Sequence, residues 1–144
     1  MAIVKRLPGN PGPVNQGEEV VLAHLEKALP NSFTLIPNIT ISFEHNGAEE
    51  YDIIAVGPDG VIVVEVKTIF GSVEITEQTM IVDGDVRSNP WKSSRIKAQK
   101  LASRLSQKLG DEPKTWVEHV VVFSKPPLKL EVFEGHKDKI FVGA

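Results

Sequence analysis

The spacing of apolar residues changes several times along the chain, and each change marks an element. From Gly17 to Leu29, Val20, Val21, Ala23, Leu25, Ala28 and Leu29 interleave with Glu18, Glu19, His24, Glu26 and Lys27. That spacing predicts an amphipathic helix with acids in its first turn, where the helix dipole favours them, stopped by Pro30-Asn31. From Phe33 to Phe43 the pattern becomes alternating and β-branched, with Phe33, Leu35, Ile39, Ile41 and Phe43 on one parity and Pro37 as a point of interruption. His45-Asn46-Gly47-Ala48 reads as a turn. Glu50–Val56 and Val61–Thr68 read as two more strands, joined by the tight turn Gly57-Pro58-Asp59-Gly60. Val61-Ile62-Val63-Val64 is apolar on both parities, as expected of a central strand covered on two faces.

Gly71 to Val86 has the pattern of a further hairpin, Val73-Glu74-Ile75 against Met80-Ile81-Val82. Asn89-Pro90 then opens a long helix over Trp91–Leu109, closed by Gly110, with Ile96, Leu101, Leu105 and Leu109 as its expected buried stripe. Trp116–Phe123 reads as a buried strand. Residues 125–139 are rich in proline and charge, and Ile140-Phe141-Val142 is a last short strand. Residues 1–16, with three prolines and two glycines, are expected to be a flexible arm before a single domain over 17–144. The order of elements predicts an α/β sandwich around one mixed sheet.

Composition narrows the function classes. A chain of 144 residues suits one domain with its own core. It contains no cysteine, which excludes disulfides and thiolate metal sites and agrees with a reducing cytoplasm. No apolar run approaches the roughly 20 residues that span a bilayer, and the Pro/Gly-broken start is not a signal peptide. The expectation is a soluble cytoplasmic protein without a membrane partner. A net charge of −3 speaks against non-specific coating of nucleic acid, but leaves room for a local basic strip beside an acidic site.

Candidate chemistry lies on the hairpin. If Gly57 faces Gly60, paired residue numbers have a constant sum, and Asp52 falls opposite Glu65, with Cβ atoms about 4.5–5.5 Å apart. Lys67, two residues after Glu65, points to the same face. Adjacent buried carboxylates repel, and a divalent cation resolves the conflict. Asp52, Glu65 and the Val66 carbonyl could supply hard oxygens to Mg²⁺, with Lys67 orienting a metal-activated water or stabilising phosphate charge. The alternative is a salt-bridged edge in which Glu65 and Lys67 form a solvated pair. Against it, Glu-Val-Lys directly continues the most apolar segment of the chain, where charges are rare unless paired or functional.

At these residues the chain resembles the PD-(D/E)XK nuclease superfamily, and more closely its nuclease-related domain family, NERD. The matching pieces, in order, are Gly17-Glu18, Tyr51-Asp52-Ile53-Ile54, Pro58-Asp59-Gly60-Val61, Val64-Glu65-Val66-Lys67, Phe70-Gly71, Asn89-Pro90 and Val120-Val121-Val122-Phe123. The resemblance implies a restriction-endonuclease-like αβββαβ core with a hairpin insertion and Mg²⁺- or Mn²⁺-dependent cleavage of DNA. It makes Asp52 and Glu65 metal ligands, Lys67 the catalytic lysine and Glu18 a helix-borne acid of the same site. It also implies a fused or associated effector domain as partner. Ser93 stands where many members carry Gln after Asn-Pro, so Ser93 or Lys92 is the expected substitute.

The second helix carries Lys92, Arg95, Lys97, Lys100, Arg104 and Lys108 with no acid between Trp91 and Leu109. Lys97, Lys100, Arg104 and Lys108 share one face. With Lys92 they form a candidate phosphate-binding strip for DNA, the alternative being a solvated helix face. His24, His45, His119 and His136 have no metal-ligand spacing and read as structural or solvated. Trp91 and Trp116 read as packing residues. The leading expectation is therefore a metal-dependent nuclease. The alternative is a catalytically silent nucleic-acid-binding or protein-docking module of the same fold.

Overall fold

A computed structural model of the chain describes residues 1–7, 15–43, 45, 47–110 and 116–143. Its main sheet has six strands in the order β1-β2-β3-β4-β8-β10. These are β1 (Ile3–Val4), β2 (Thr34–Phe43), β3 (Gly47–Gly57), β4 (Gly60–Lys67), β8 (Val117–Phe123) and β10 (Ile140–Val142). The strands β2, β3 and β4 form an antiparallel meander, while β1, β8 and β10 add in parallel. A second sheet, β7-β6-β5-β9, is built from β5 (Ser72–Ile75), β6 (Thr79–Val82), β7 (Asp85–Ser88) and β9 (Lys129–Val132). Helix α1 spans Gln16–Ala28 and α2 spans Pro90–Leu109.

The helices lie on opposite faces of the main sheet, which gives the expected α/β architecture. Val21 and Leu22 of α1 pack with Leu35, Ile53, Ala55, Val64 and Val66. Ala98 and Leu101 of α2 pack with Tyr51, Ile54, Val61 and Val63. Both parities of β4 are thus buried, as its continuous apolar run predicts. On the far side of β8, Val121 and Phe123 meet Val73, Ile75, Met80 and Val82 of the small sheet.

Several expectations change. The predicted loose arm is partly a strand: Ile3 and Val4 pair with Thr34 and Leu35, and Ala2 is buried against the α1 face. At its far end Asn15 caps α1 and Gln16 begins it, and residues 8–14 lie outside the described residues. The predicted hairpin over 71–86 gains a third strand, β7, and the Pro-rich stretch supplies β9 and a 3-10 helix at Glu134–Lys139. On α1 the buried pair is Val21 and Leu22, while Val20 is exposed.

The stripe expected on α2 holds only in part: Leu101 is buried and Leu105 packs against the same core, but the other two positions do not. Ile96 is 49% and Leu109 71% exposed, whereas Pro90, Ser94, Ala98 and Leu101 are buried. Small residues let the helix backbone approach the sheet, and close approach outweighs the size of the apolar side chains in choosing the face. Trp116, expected in the core, is also exposed. Trp91 does pack at the start of α2, stacked on His136 with ring centroids 3.9 Å apart.

One irregularity positions the site. Phe33, just before β2, and Leu35 within it face α1, but Ile39, Ile41 and Phe43 face α2. Along β3, Ile53 and Ala55 face α1, whereas Tyr51 faces α2. The faces exchange at Asn38, which has a positive φ of 48°, opposite Asp52, between the pairs Pro37–Ile53 and Ile39–Tyr51. A period of two cannot continue through that point, so the single parity read across Phe33–Phe43 breaks there.

Helix α1 is seated closely at the same end of the sheet. A Cβ on Gly17 would fall 1.8 Å from Thr68 Oγ1 and 2.9 Å from Ser124 Oγ. These two hydroxyls are hydrogen-bonded to each other at 2.7 Å. Gly17→Ala should therefore cost about 1–3 kcal/mol in urea unfolding, as overpacking does, and Thr68→Ala added to it should recover part of that loss. Additive effects of the two changes would show that Thr68 does not limit the approach of α1.

Candidate active site

The register of the β3–β4 hairpin is the expected one from Gly57–Gly60 back to Ile53–Val64. It stops one pair short of Asp52 and Glu65, because β3 changes face at Asp52. The Asp52 carboxylate takes the place of a backbone partner, with Oδ2 accepting the N–H of Val66 at 2.8 Å. Asp52 and Glu65 are thus close, but as side chains around the end of a ladder and not as a regular cross-strand pair.

Glu18 reaches this point from α1. It is the third residue of the helix and completes a capping box with Asn15. The Glu18 N–H donates to Asn15 Oδ1 at 2.9 Å, and the Asn15 N–H donates to Glu18 Oε2 at 3.2 Å. The box fixes the Glu18 side chain over the helix N-terminus. It is only 5% exposed and is hydrogen-bonded to the Asp52 carboxyl. The first-turn role and the site role are therefore the same placement.

Glu65 has the parity of Val61 and Val63, toward α2, and is 6% exposed. Its partner is Lys97, whose Nζ lies 3.2 Å from Oε1 and 3.4 Å from Oε2. Lys67 is half-buried beside them, and its charge, like that of Lys97, acts to keep Glu65 ionised. The site therefore brings together Glu18, Asp52 and Glu65 with the ammonium groups of Lys67 and Lys97. Burial pushes the Asp52 carboxyl up to about 6, helped by the hydrogen bond to Glu18 and opposed by the Val66 N–H. Burial also raises Glu65, opposed first by Lys97. For both acids, burial disfavours the charged form by more than the nearby N–H and ammonium groups favour it.

The basic strip of α2 does not stand free. Lys97 turns inward to Glu65, Lys100 pairs with Glu49 at 2.8 Å, and Arg104 donates to the Ser42 carbonyl at 3.2 Å. Lys92 is hydrogen-bonded to the Gln78 side chain, and Lys108 is exposed. Lys100 and Arg104 still line an open groove of about 290 Å³ with Phe43, His45, Gln99 and Ser103. Neither Lys92 nor Ser93 is the α2 residue bonded to the acids. Lys97, one turn beyond Ser93, takes that place. Sequence reading placed Lys97 in a surface strip because period alone does not say which face of a helix is buried. The small residues Ser94 and Ala98 were the available signal.

Among the described residues, no three Asp, Glu, His or Cys side chains stand as they would around a bound ion. His119 is held by Ser94, with Oγ and Nδ1 2.9 Å apart, and His136 is buried against Trp91. No described helix is long and apolar enough to cross a membrane.

A mixed six-stranded sheet, helices on both faces and an Asp…Glu-x-Lys hairpin at a break in the ladder define a domain of restriction-endonuclease-like fold. The chain belongs to the nuclease-related domain family, NERD, which matches residues 13–124 and falls within that superfamily. No curated relative and no solved structure matches it.

The raised Asp52 makes stability depend on pH. The folded protein keeps this proton up to about pH 6, whereas the unfolded chain releases it in the ordinary aspartate range. Between the two the folded state binds more protons, so stability falls as pH rises from about 4 to about 6. Thermal melts in EDTA should show that slope in the wild type and a flatter one in Asp52→Asn. Parallel curves would mean that Asp52 is not the group held protonated.

Proposed function

We propose that this domain hydrolyses DNA phosphodiester bonds using a divalent cation, Mg²⁺ or Mn²⁺. The observation that carries the reading is the meeting of Glu18, Asp52 and Glu65 from three separate elements, with two ammonium groups, in a member of a nuclease-related family. Three carboxylates in a half-dry site form a hard-oxygen donor set short of positive charge, which suits such a cation. Held by Asp52, Glu65 and the Val66 carbonyl, the cation would supply Lewis acidity toward phosphate and lower the pKa of a bound water.

The protein groups divide the remaining work. Asp52 is oriented by the Val66 N–H and by Glu18, so its free lone pairs have a fixed direction. Glu18 acts on the site through Asp52 and its surrounding water. Lys67 follows Glu65 on the same parity and is placed to orient the attacking water or to hold charge on the phosphate. Lys100 and Arg104, in their groove along α2, are the groups for flanking phosphates, with Lys92 and Lys108 further along the helix.

A second reading has its own support. The Lys97–Glu65 pair, Ser93 in place of Gln and the absence of a formed ion cage among the described residues favour a silent nucleic-acid-binding or docking module. Such a module would position a fused or associated effector domain.

Plasmid and linear DNA incubated with Mg²⁺, Mn²⁺ or EDTA separate the two readings. The wild type should cut only with metal, and Asp52→Ala and Lys67→Ala should each lose on the order of 100-fold or more, as expected when a positioned catalytic group is removed. Equal nicking by all three proteins would assign the cleavage to a contaminant. Salt-sensitive binding without cutting would select the silent module. Lys100→Glu with Arg104→Glu should weaken DNA binding in either case, and unchanged binding would remove the groove from the interface.

A further inference from the structure

The acids of the site are approached by a cation that the protein itself supplies. Lys97 Nζ is within hydrogen-bond distance of both Glu65 oxygens, at 3.2 and 3.4 Å. The pair is enclosed, with side-chain exposure of 17% for Lys97 and 7% for Glu65. Its backbone is pinned as well: the Lys97 carbonyl accepts the hydroxyl of the fully buried Tyr51 at 2.8 Å, and the next residue, Ala98, sits in the α2 face of the core. Lys97 is therefore not a surface side chain that has wandered inward. The helix is fixed so that this residue faces Glu65.

A buried carboxylate needs a positive partner, and one partner excludes another from the same oxygens. We infer that the Lys97 ammonium is a built-in counter-ion at the cation position, which neutralises Glu65 in the metal-free protein and must be displaced before a divalent cation can bind there. This inference rests on the metal-dependent reading above. It accounts for carboxylates that converge without forming an ion cage. It also gives Lys97 a way out, because the side chain is partly open to solvent and its stem is flexible. Lys97 then acts as a positioning residue that sets how much metal the site requires. Removing its charge should make the metal-free protein less stable and its hold on metal tighter, a pairing that a merely structural lysine does not produce.

The test is Mn²⁺ binding by the full chain, read by electron paramagnetic resonance of free Mn²⁺ and by calorimetry, with folding followed by circular dichroism. Lys97→Met should bind Mn²⁺ at least about tenfold more tightly than wild type, the scale expected when an ion pair no longer competes for a ligand. It should melt at a lower temperature in EDTA and recover with Mn²⁺. Lys97→Gln is the second variant, in which a neutral polar group preserves folding if Met does not. Lys97→Arg, which keeps the charge, should stay near wild type, and Glu65→Gln added to Lys97→Met should abolish the gain. If wild type binds Mn²⁺ and the neutral variants bind it no more tightly, the counter-ion role is wrong while the metal site stands. If neither wild type nor the variants bind Mn²⁺ at millimolar concentration, the metal-dependent reading falls, and this inference with it.

Discussion

Three carboxylates drawn out of water at the end of a β-hairpin are unfavourable unless something positive meets them, and much of the structure around Asp52 answers that requirement. The Val66 N–H meets Asp52, the capping box holds Glu18 in place, and Lys97 and Lys67 balance Glu65. The partners come from β4, from the start of α1 and from α2. The site therefore exists only when both helices are docked on the sheet, one on each face. A protein gains nothing in stability from gathering like charges this way. The apolar contacts of α1 and α2 supply the stabilisation that this cluster removes.

The break in strand pairing is what makes the meeting possible. In a regular hairpin, alternate side chains stay on their own faces, and an acid reached from α1 would be screened by the sheet from one under α2. Here β2 and β3 exchange faces at Asn38 and Asp52. Asp52 is freed from the ladder and turns toward the Val66 backbone, where Glu18 and Glu65 are both within electrostatic reach. Irregularities of this kind recur next to functional sites because they re-aim a side chain without unfolding the strand.

The two helices do different work. α1 is held close by Gly17 and contributes an acid from its first turn, where its own dipole stabilises negative charge. α2 approaches the sheet through small residues and contributes an ammonium group from its middle. Its cationic appearance in the sequence divides in the folded protein: Lys97 serves the acidic site, while Lys100 and Arg104 tie the helix to β2 and β3 and border a groove. One helix therefore joins the candidate site to the surface beside it.

Much of this was legible in the order of residues. The two helices, the β2–β3–β4 meander, the Gly57–Gly60 turn and the shared face of Glu65 and Lys67 follow from period, turn chemistry and strand parity, which are local properties. Asp52 was expected beside them too, but it comes there through the break in the ladder and not through a regular pair. The Asn15–Glu18 capping box was equally local, and its spacing was there to be read. What the sequence could not decide was which face of α2 is buried, that Ile3–Val4 would add to β2, and that Lys97 would turn to Glu65. Those outcomes depend on how closely two elements can approach and on where a buried charge finds its counter-charge. Such conditions are set between residues distant in the chain, and only the assembled tertiary structure resolves them.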